Sequence, residues 1–239
     1  MASKTKNKNA VTNWYEKIPS ALIPRYDNPS YNDILIKHPC RIIIVGNSGS
    51  GKTQLALDFL NRMKNTFGNI TLVCMNANEP LYEYLRRKVD EDQLQIFEGV
   101  ENIPKLEELD PDAQHLVIFD DLCLAKNQSI IQDYFIRSRK IAKGVSLLYL
   151  TQSYFHVPKP CRINATHVIL KKLSTVRDLK LILSDFNLGL APEEMVDMYR
   201  DCTDDGRGFL LIDVEGPPET RFRHNWLQNI TPDDINDRF

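Results

Sequence analysis

The sequence predicts a three-layer α/β domain with a mostly parallel central sheet. Three observations carry this. From Arg41 onward, short apolar runs alternate with segments of helical spacing, as in strands joined by helical crossovers. The runs RIIIV, QHLVIF and VSLLYL are apolar without alternation, which fits strands covered on both faces. The first of them ends in a glycine-rich turn that opens onto a helix.

Residues 1–40 read as an N-terminal arm, and 41–239 as the domain proper. The first ten residues are polar and lysine-rich and are expected to be mobile. Trp14, Tyr15, Pro19, Pro24, Tyr26, Pro29 and Tyr31 follow, suited to an extended segment packed on its own core or on a neighbour. Arg41–Val45 is the first strand. Apolar residues at 55, 56, 59, 60 and 63 then predict a helix over 52–66. A second strand follows at 69–75, and Pro80 opens a helix to about 87, because proline suits a first helical turn. A short strand near 95–97 and a helix near 104–109 lead to the strand at 114–119. A helix over 129–140, a strand at 145–150 and another at 167–170 come next. Helices are expected over 175–186 and 192–199. Strands at 209–214 and 221–226 flank Gly216-Pro217-Pro218 as a closing β-hairpin.

Composition narrows the class. Of 239 residues, 42% are apolar and 26% charged, which is ordinary for a soluble globular chain. No apolar run approaches the roughly 20 residues of a membrane span, and the start of the chain lacks the apolar core of a secretory signal. Five scattered cysteines without a CxxC pair suggest reduced thiols rather than disulfides or a metal site. A net charge of −2 excludes a histone-like protein but not a local basic surface.

Gly46-Asn47-Ser48-Gly49-Ser50-Gly51-Lys52-Thr53 matches GxxxxGK[ST], with a buried strand before it and a helix after it. Glycines let backbone N–H groups approach phosphate oxygens closely. The helix that follows points its positive end at the same place. Lys52 supplies a charge for the β- and γ-phosphates and the Thr53 hydroxyl a ligand for Mg²⁺, with Gln54 completing the loop. The fold expected is therefore that of a P-loop NTPase with a nucleoside-triphosphate site.

Asp120 and Asp121 follow the strand at 114–119, so in a parallel sheet they emerge at its carboxyl end beside the phosphate loop. Asp120 would hold Mg²⁺ and Asp121 orient the attacking water; the alternative is a helix N-cap. Gln152, at the end of VSLLYLTQS, would contact the γ-phosphate or its water, or else be a plain polar strand end. An additional strand between the phosphate-loop and Asp120 strands is expected. Arg137, Arg139, Lys140 and Lys143 make the most basic stretch of the core. An arginine there reaches a neighbour's phosphate, contacts a nucleic-acid backbone, or ends a solvated helix. A GTPase is disfavoured, because no NKxD-like motif is present and no glycine follows Asp120-Asp121. A small-molecule kinase usually carries an arginine-rich lid, which is not evident. That kinase and a nucleotide-gated binding or scaffold protein remain the alternatives.

GNSGSGKT, LVIFDDL and YFIRSRKIAKGVSLLYLTQSYFHVPK, in that order, resemble the poxvirus-type genome-packaging ATPases of the FtsK/HerA superfamily, from about residue 41 to 226. The resemblance implies a motor that drives double-stranded DNA into a preformed capsid. It implies a homo-oligomeric ring, a pentamer or hexamer, with ATP and Mg²⁺ at subunit interfaces and capsid proteins as further partners. By motif position Lys52 and Thr53 are the phosphate-loop pair, Asp120 the metal aspartate and Gln152 the sensor. Arg139 is the first candidate for an arginine finger and Arg137 the second. The superfamily often has Asp-Glu where this chain has Asp120-Asp121, so the base at 121 is shorter. The implied location is the host-cell cytoplasm or a viral factory, with association to the virion.

Overall fold

A computed structural model describes residues 11–123 and 125–236; the ten N-terminal residues expected to be mobile lie outside the described residues. Nine strands form one sheet. They are β1 (Arg41–Val45), β2 (Asn69–Cys74), β3 (Leu94–Glu98), β4 (His115–Asp120), β5 (Val145–Thr151), β6 (His167–Leu170), β7 (Leu210–Asp213), β8 (Phe222–His224) and β9 (Gln228–Asn229). Their spatial order is β3-β2-β4-β5-β1-β6-β7-β8-β9. The first six are parallel, and β7 to β9 continue antiparallel. β5 lies between β1 and β4, the expected additional strand, and β7 and β8 pair as the expected hairpin.

Successive strand side chains point to opposite faces, and this splits the core into two apolar clusters. Ile43, Val45, Val117, Phe119, Leu147 and Tyr149 face one side. There α3 (Ser129–Arg137), α5 (Arg177–Asp185) and α6 (Pro192–Thr203) cover them. Ile42, Ile44, Leu116, Ile118, Leu148 and Leu150 face the other, under Leu55, Ala56 and Phe59 of α1 (Lys52–Arg62) and Tyr82 of α2 (Pro80–Arg86). The result is three layers.

The segment 26–40, read from the sequence as arm, is packed onto this core. Ile34 and Ile36 are buried in the second cluster. The buried Arg223 of β8 donates to the Ile34 carbonyl at 2.9 Å and the Trp226 carbonyl at 2.8 Å. Trp226 donates to Asp58 at 2.7 Å, which ties the hairpin to α1. Residues 11–25, by contrast, bury no side chain, and Trp14 is 66% exposed.

Several elements differ in extent. Residues 104–109 form a 3-10 turn, Leu106–Glu108, rather than a helix. Only Leu106 of the turn is buried, and Asp110 precedes Pro111, which disfavours helical backbone there. α1 stops at Arg62, short of Asn65, whose φ is +60°. α3 stops at Arg137 and tightens into a 3-10 turn, Ser138–Lys140, as helix ends commonly do. A short helix, α4 (Lys159–Ile163), has no counterpart in the sequence reading. Cys40, Cys74, Cys161 and Cys202 are buried, and Cys123 is half-buried. Among the described residues no helix is long and apolar enough to cross a membrane.

Candidate functional site

Parallel strands align their carboxyl ends on one rim of the sheet, and the loops there build a cavity of about 380 Å³. The phosphate loop forms one wall. Gly49 and Gly51 have φ of +73° and +86°, which glycine adopts at little cost. The turn closes through a Ser50 N–H bond to the Asn47 carbonyl at 3.1 Å. Neighbouring strands pin it: the Gly46 N–H donates to Thr151 O at 3.1 Å, and the Asn47 N–H to Lys172 O at 2.9 Å. Lys52 is buried and curls back, donating to Gly46 O at 2.9 Å and Asn47 O at 3.1 Å.

Ser48, Gly49, Gly51, Lys52, Thr53 and Gln54 line this cavity; Gly46, Asn47 and Ser50 support the loop from behind. Opposite stand Asp120 and Asp121. The Thr53 hydroxyl donates to Asp120 Oδ2 at 3.2 Å, and the Tyr82 hydroxyl donates to the same oxygen. Burial holds the Asp120 carboxyl above its usual range, and Asp121 pushes the same way; the bonds from Tyr82 and Thr53 oppose both. Asp121 is exposed at the cavity with φ +52°, and its N–H donates to Leu150 O of β5 at 3.2 Å.

Gln152 follows β5 directly and is exposed. Thr151 pairs with Val45, so Gln152 stands level with the start of the phosphate loop, though it does not line the cavity. Arg137 and Arg139 lie elsewhere. They border a recess with Arg41, the first residue of β1, at the amino ends of the strands. The five residues of β1 span roughly 16 Å, so neither arginine belongs to its own chain's cavity. Arg137 pairs with Asp133 at 2.7 Å and with Glu107. Arg139 is exposed and has no ion pair among the described residues.

Three neighbours escaped sequence reasoning. Tyr82 lies in the helix expected from Pro80, and its hydroxyl reaches Asp120 because β2 lies beside β4. Glu79, just before α2, lines the cavity. Lys171 is buried, and its ammonium donates to the Arg207 carbonyl and to Gly208 O at 3.2 Å.

A family model described as the poxvirus A32 protein matches residues 29–214. The chain belongs to the poxvirus A32 family. It is thus a viral genome-packaging ATPase, the class its motifs resembled. The genome-packaging NTPase B204 of Sulfolobus turreted icosahedral virus 2, solved with ATP-gammaS, superposes at a TM-score of 0.57 with 15% identity. The match covers 82% of this chain and all of B204. The sulfate complex of the same protein gives 0.56 and 14% over 80% of this chain and 97% of B204. At that identity the likeness shows the fold, a P-loop ATPase fold. No curated protein matches the chain in sequence.

Proposed function

We propose that this A32-family chain is one subunit of a homo-oligomeric ring that couples ATP hydrolysis to movement of double-stranded viral DNA into a preformed capsid. The observation that carries the reading is the cavity itself, where phosphate loop, Thr53 and Asp120 meet at the end of a sheet with β5 inserted beside β1. Backbone N–H groups and Lys52 grip the β- and γ-phosphates of ATP. Thr53 and Asp120 suit Mg²⁺: both offer hard oxygen, and both protein bonds to Asp120 fall on Oδ2. Among the described residues no cluster of three or more metal-binding side chains occurs. This accords with a cation held mainly by phosphate, water and one or two protein oxygens. When bound, the cation neutralises charge on the transferring phosphoryl group. Asp121 orients and deprotonates the attacking water, and Gln152 reads the γ-phosphate from the end of β5.

Arg139, exposed and without an ion pair among the described residues, is the better donor to a neighbour's phosphates; Arg137 is committed to two carboxylates. Their place at the far end of the sheet means that such an arginine serves only in trans, which supports a pentameric or hexameric ring. The site of action is the infected cell, in its cytoplasm or viral factories, with capsid proteins as partners and the virion as destination.

The test is ATPase rate with and without duplex DNA, with particle mass read by native mass spectrometry. DNA-stimulated turnover by a ring is expected. Lys52→Ala and Asp121→Asn should each cut kcat by at least about a hundredfold, the scale of lost transition-state contacts. Vigorous turnover by a monomer indifferent to DNA would overturn the reading.

A further inference from the structure

Two loops flank the phosphate loop on the same rim of the sheet. Residues 152–159 follow β5 and residues 171–177 follow β6, and both strands pair with β1. The loops are fastened to each other. The Ser153 hydroxyl and the Phe155 N–H both donate to Oδ1 of the buried Asp178 at 3.1 Å. The Arg177 guanidinium lies 3.8 Å from the centre of the Phe155 ring. The second loop is fastened to the phosphate loop as well. The Asn47 N–H donates to Lys172 O at 2.9 Å, and the Ser174 hydroxyl to Asn47 Oδ1 at 2.8 Å.

The outer surface of this pair is cationic and aromatic. Phe155, His156, Lys159, Lys172, Arg177 and Lys180 are exposed. The two loops contain no carboxylate, and Asp178 beside them is buried and bonded inward. None of the four Lys and Arg side chains has an ion pair among the described residues. Like charges so grouped repel one another, and a polyanion relieves that repulsion. Phe155 holds the Arg177 guanidinium in place, so less side-chain freedom is lost on binding.

We propose that loops 152–159 and 171–177 form the surface that grips the phosphate backbone of duplex DNA, with Asn47 as its link to the nucleotide. This rests on the motor reading above. The grip is blind to sequence, since backbone contacts carry none, and a packaging motor has to accept every stretch of its genome. A shift of Asn47 with the state of the bound nucleotide reaches the cations through Lys172 and Ser174, and then Phe155 through Arg177 and Asp178.

The experiment is fluorescence anisotropy of a labelled mixed-sequence duplex titrated with the full chain across a salt series. The double variant Lys172→Ala/Arg177→Ala removes two phosphate contacts. It should lower the slope of log affinity against log salt by about two, while ATPase without DNA stays within about twofold of wild type. Lys64→Ala, an exposed lysine two residues beyond α1, is the control that removes one surface charge elsewhere, and it should leave the slope unchanged. Ser174→Ala should bind duplex normally but lose most DNA stimulation of the ATPase. A double variant with the wild-type slope overturns the proposal, as does a loss shared equally by Lys64→Ala. Unchanged DNA affinity with a changed native mass assigns the face to subunit contact instead. A wild-type chain that ignores duplex DNA overturns both this proposal and the motor reading; wild-type binding with unaffected variants overturns only this one.

Discussion

Gly46 has no room for a side chain. A β-carbon there would lie 2.5 Å from Ser50 Oγ and 2.7 Å from Lys171 Cβ. Gly46→Ala should therefore displace the phosphate loop, weaken ATP binding in a calorimetric titration, and cost about 1–3 kcal/mol of stability, as overpacking does. The hydroxyl of Tyr82 is a second such point. It donates to a buried carboxylate, and bonds of that kind contribute roughly 1.5–3 kcal/mol. Tyr82→Phe should lower the urea-unfolding free energy by about that much. The two residues were not equally legible. The glycine is dictated by a contiguous motif whose spacing encodes its own backbone geometry. The tyrosine acquires its role only when β2 and β4 become neighbours, which no local pattern specifies.

The arm illustrates the same limit among the elements. Its aromatics and prolines suggested an extended segment, but the residues that anchor it are Ile34 and Ile36, whose burial alternates with exposed Leu35 and Lys37, a period that the apolar Leu35 masks in the sequence. Their burial depends on the distant Arg223 and the closing hairpin. Ile34→Ala should cost about 2–5 kcal/mol in chemical unfolding, as for other fully buried aliphatic truncations. Trp14→Ala, on the exposed part, should stay within about 0.5 kcal/mol. The strands of the parallel sheet were legible because double-sided burial writes an unbroken apolar run. The 3-10 turn at Leu106–Glu108 was not, because apolar residues three apart fit both an α-helix and a tighter turn.

For the whole molecule, two buried histidines set the response to acid. Burial, with the charge of Arg223, holds His167 neutral down to about 3, despite Asp213 at 3.7 Å. His38 is likewise lowered by burial, with Nδ1 2.8 Å from the Ser146 hydroxyl and Nε2 2.9 Å from the Lys143 carbonyl. The folded state then binds fewer protons than the unfolded chain, so stability falls as pH drops below about 6.5. For His167 the fall continues to about 3. Asp120 acts in the opposite sense. Its raised carboxyl binds more protons folded than unfolded, so its share of stability is lost as pH rises through the folded value. Urea titrations at several pH values should show the net slope, and His167→Gln should flatten the histidine part of it. The packaging-ATPase class was legible in the order of three motifs, but the separation of arginines from cavity by the length of a strand was not, because only the folded sheet assigns each motif to a rim. The distribution of sulfur offers a practical consequence. Burial pushes the Cys40 and Cys74 thiols up to about 11 and the Cys161 thiol to about 12, where almost no reactive thiolate exists near neutrality. Cys202 is also buried. Cys123, half-buried and close behind Asp120-Asp121 in the chain, is left as the site a maleimide dye reaches. The natural sequence therefore carries its own attachment point for a fluorophore two residues after Asp121 in the chain, so that turnover can be watched without engineering a label.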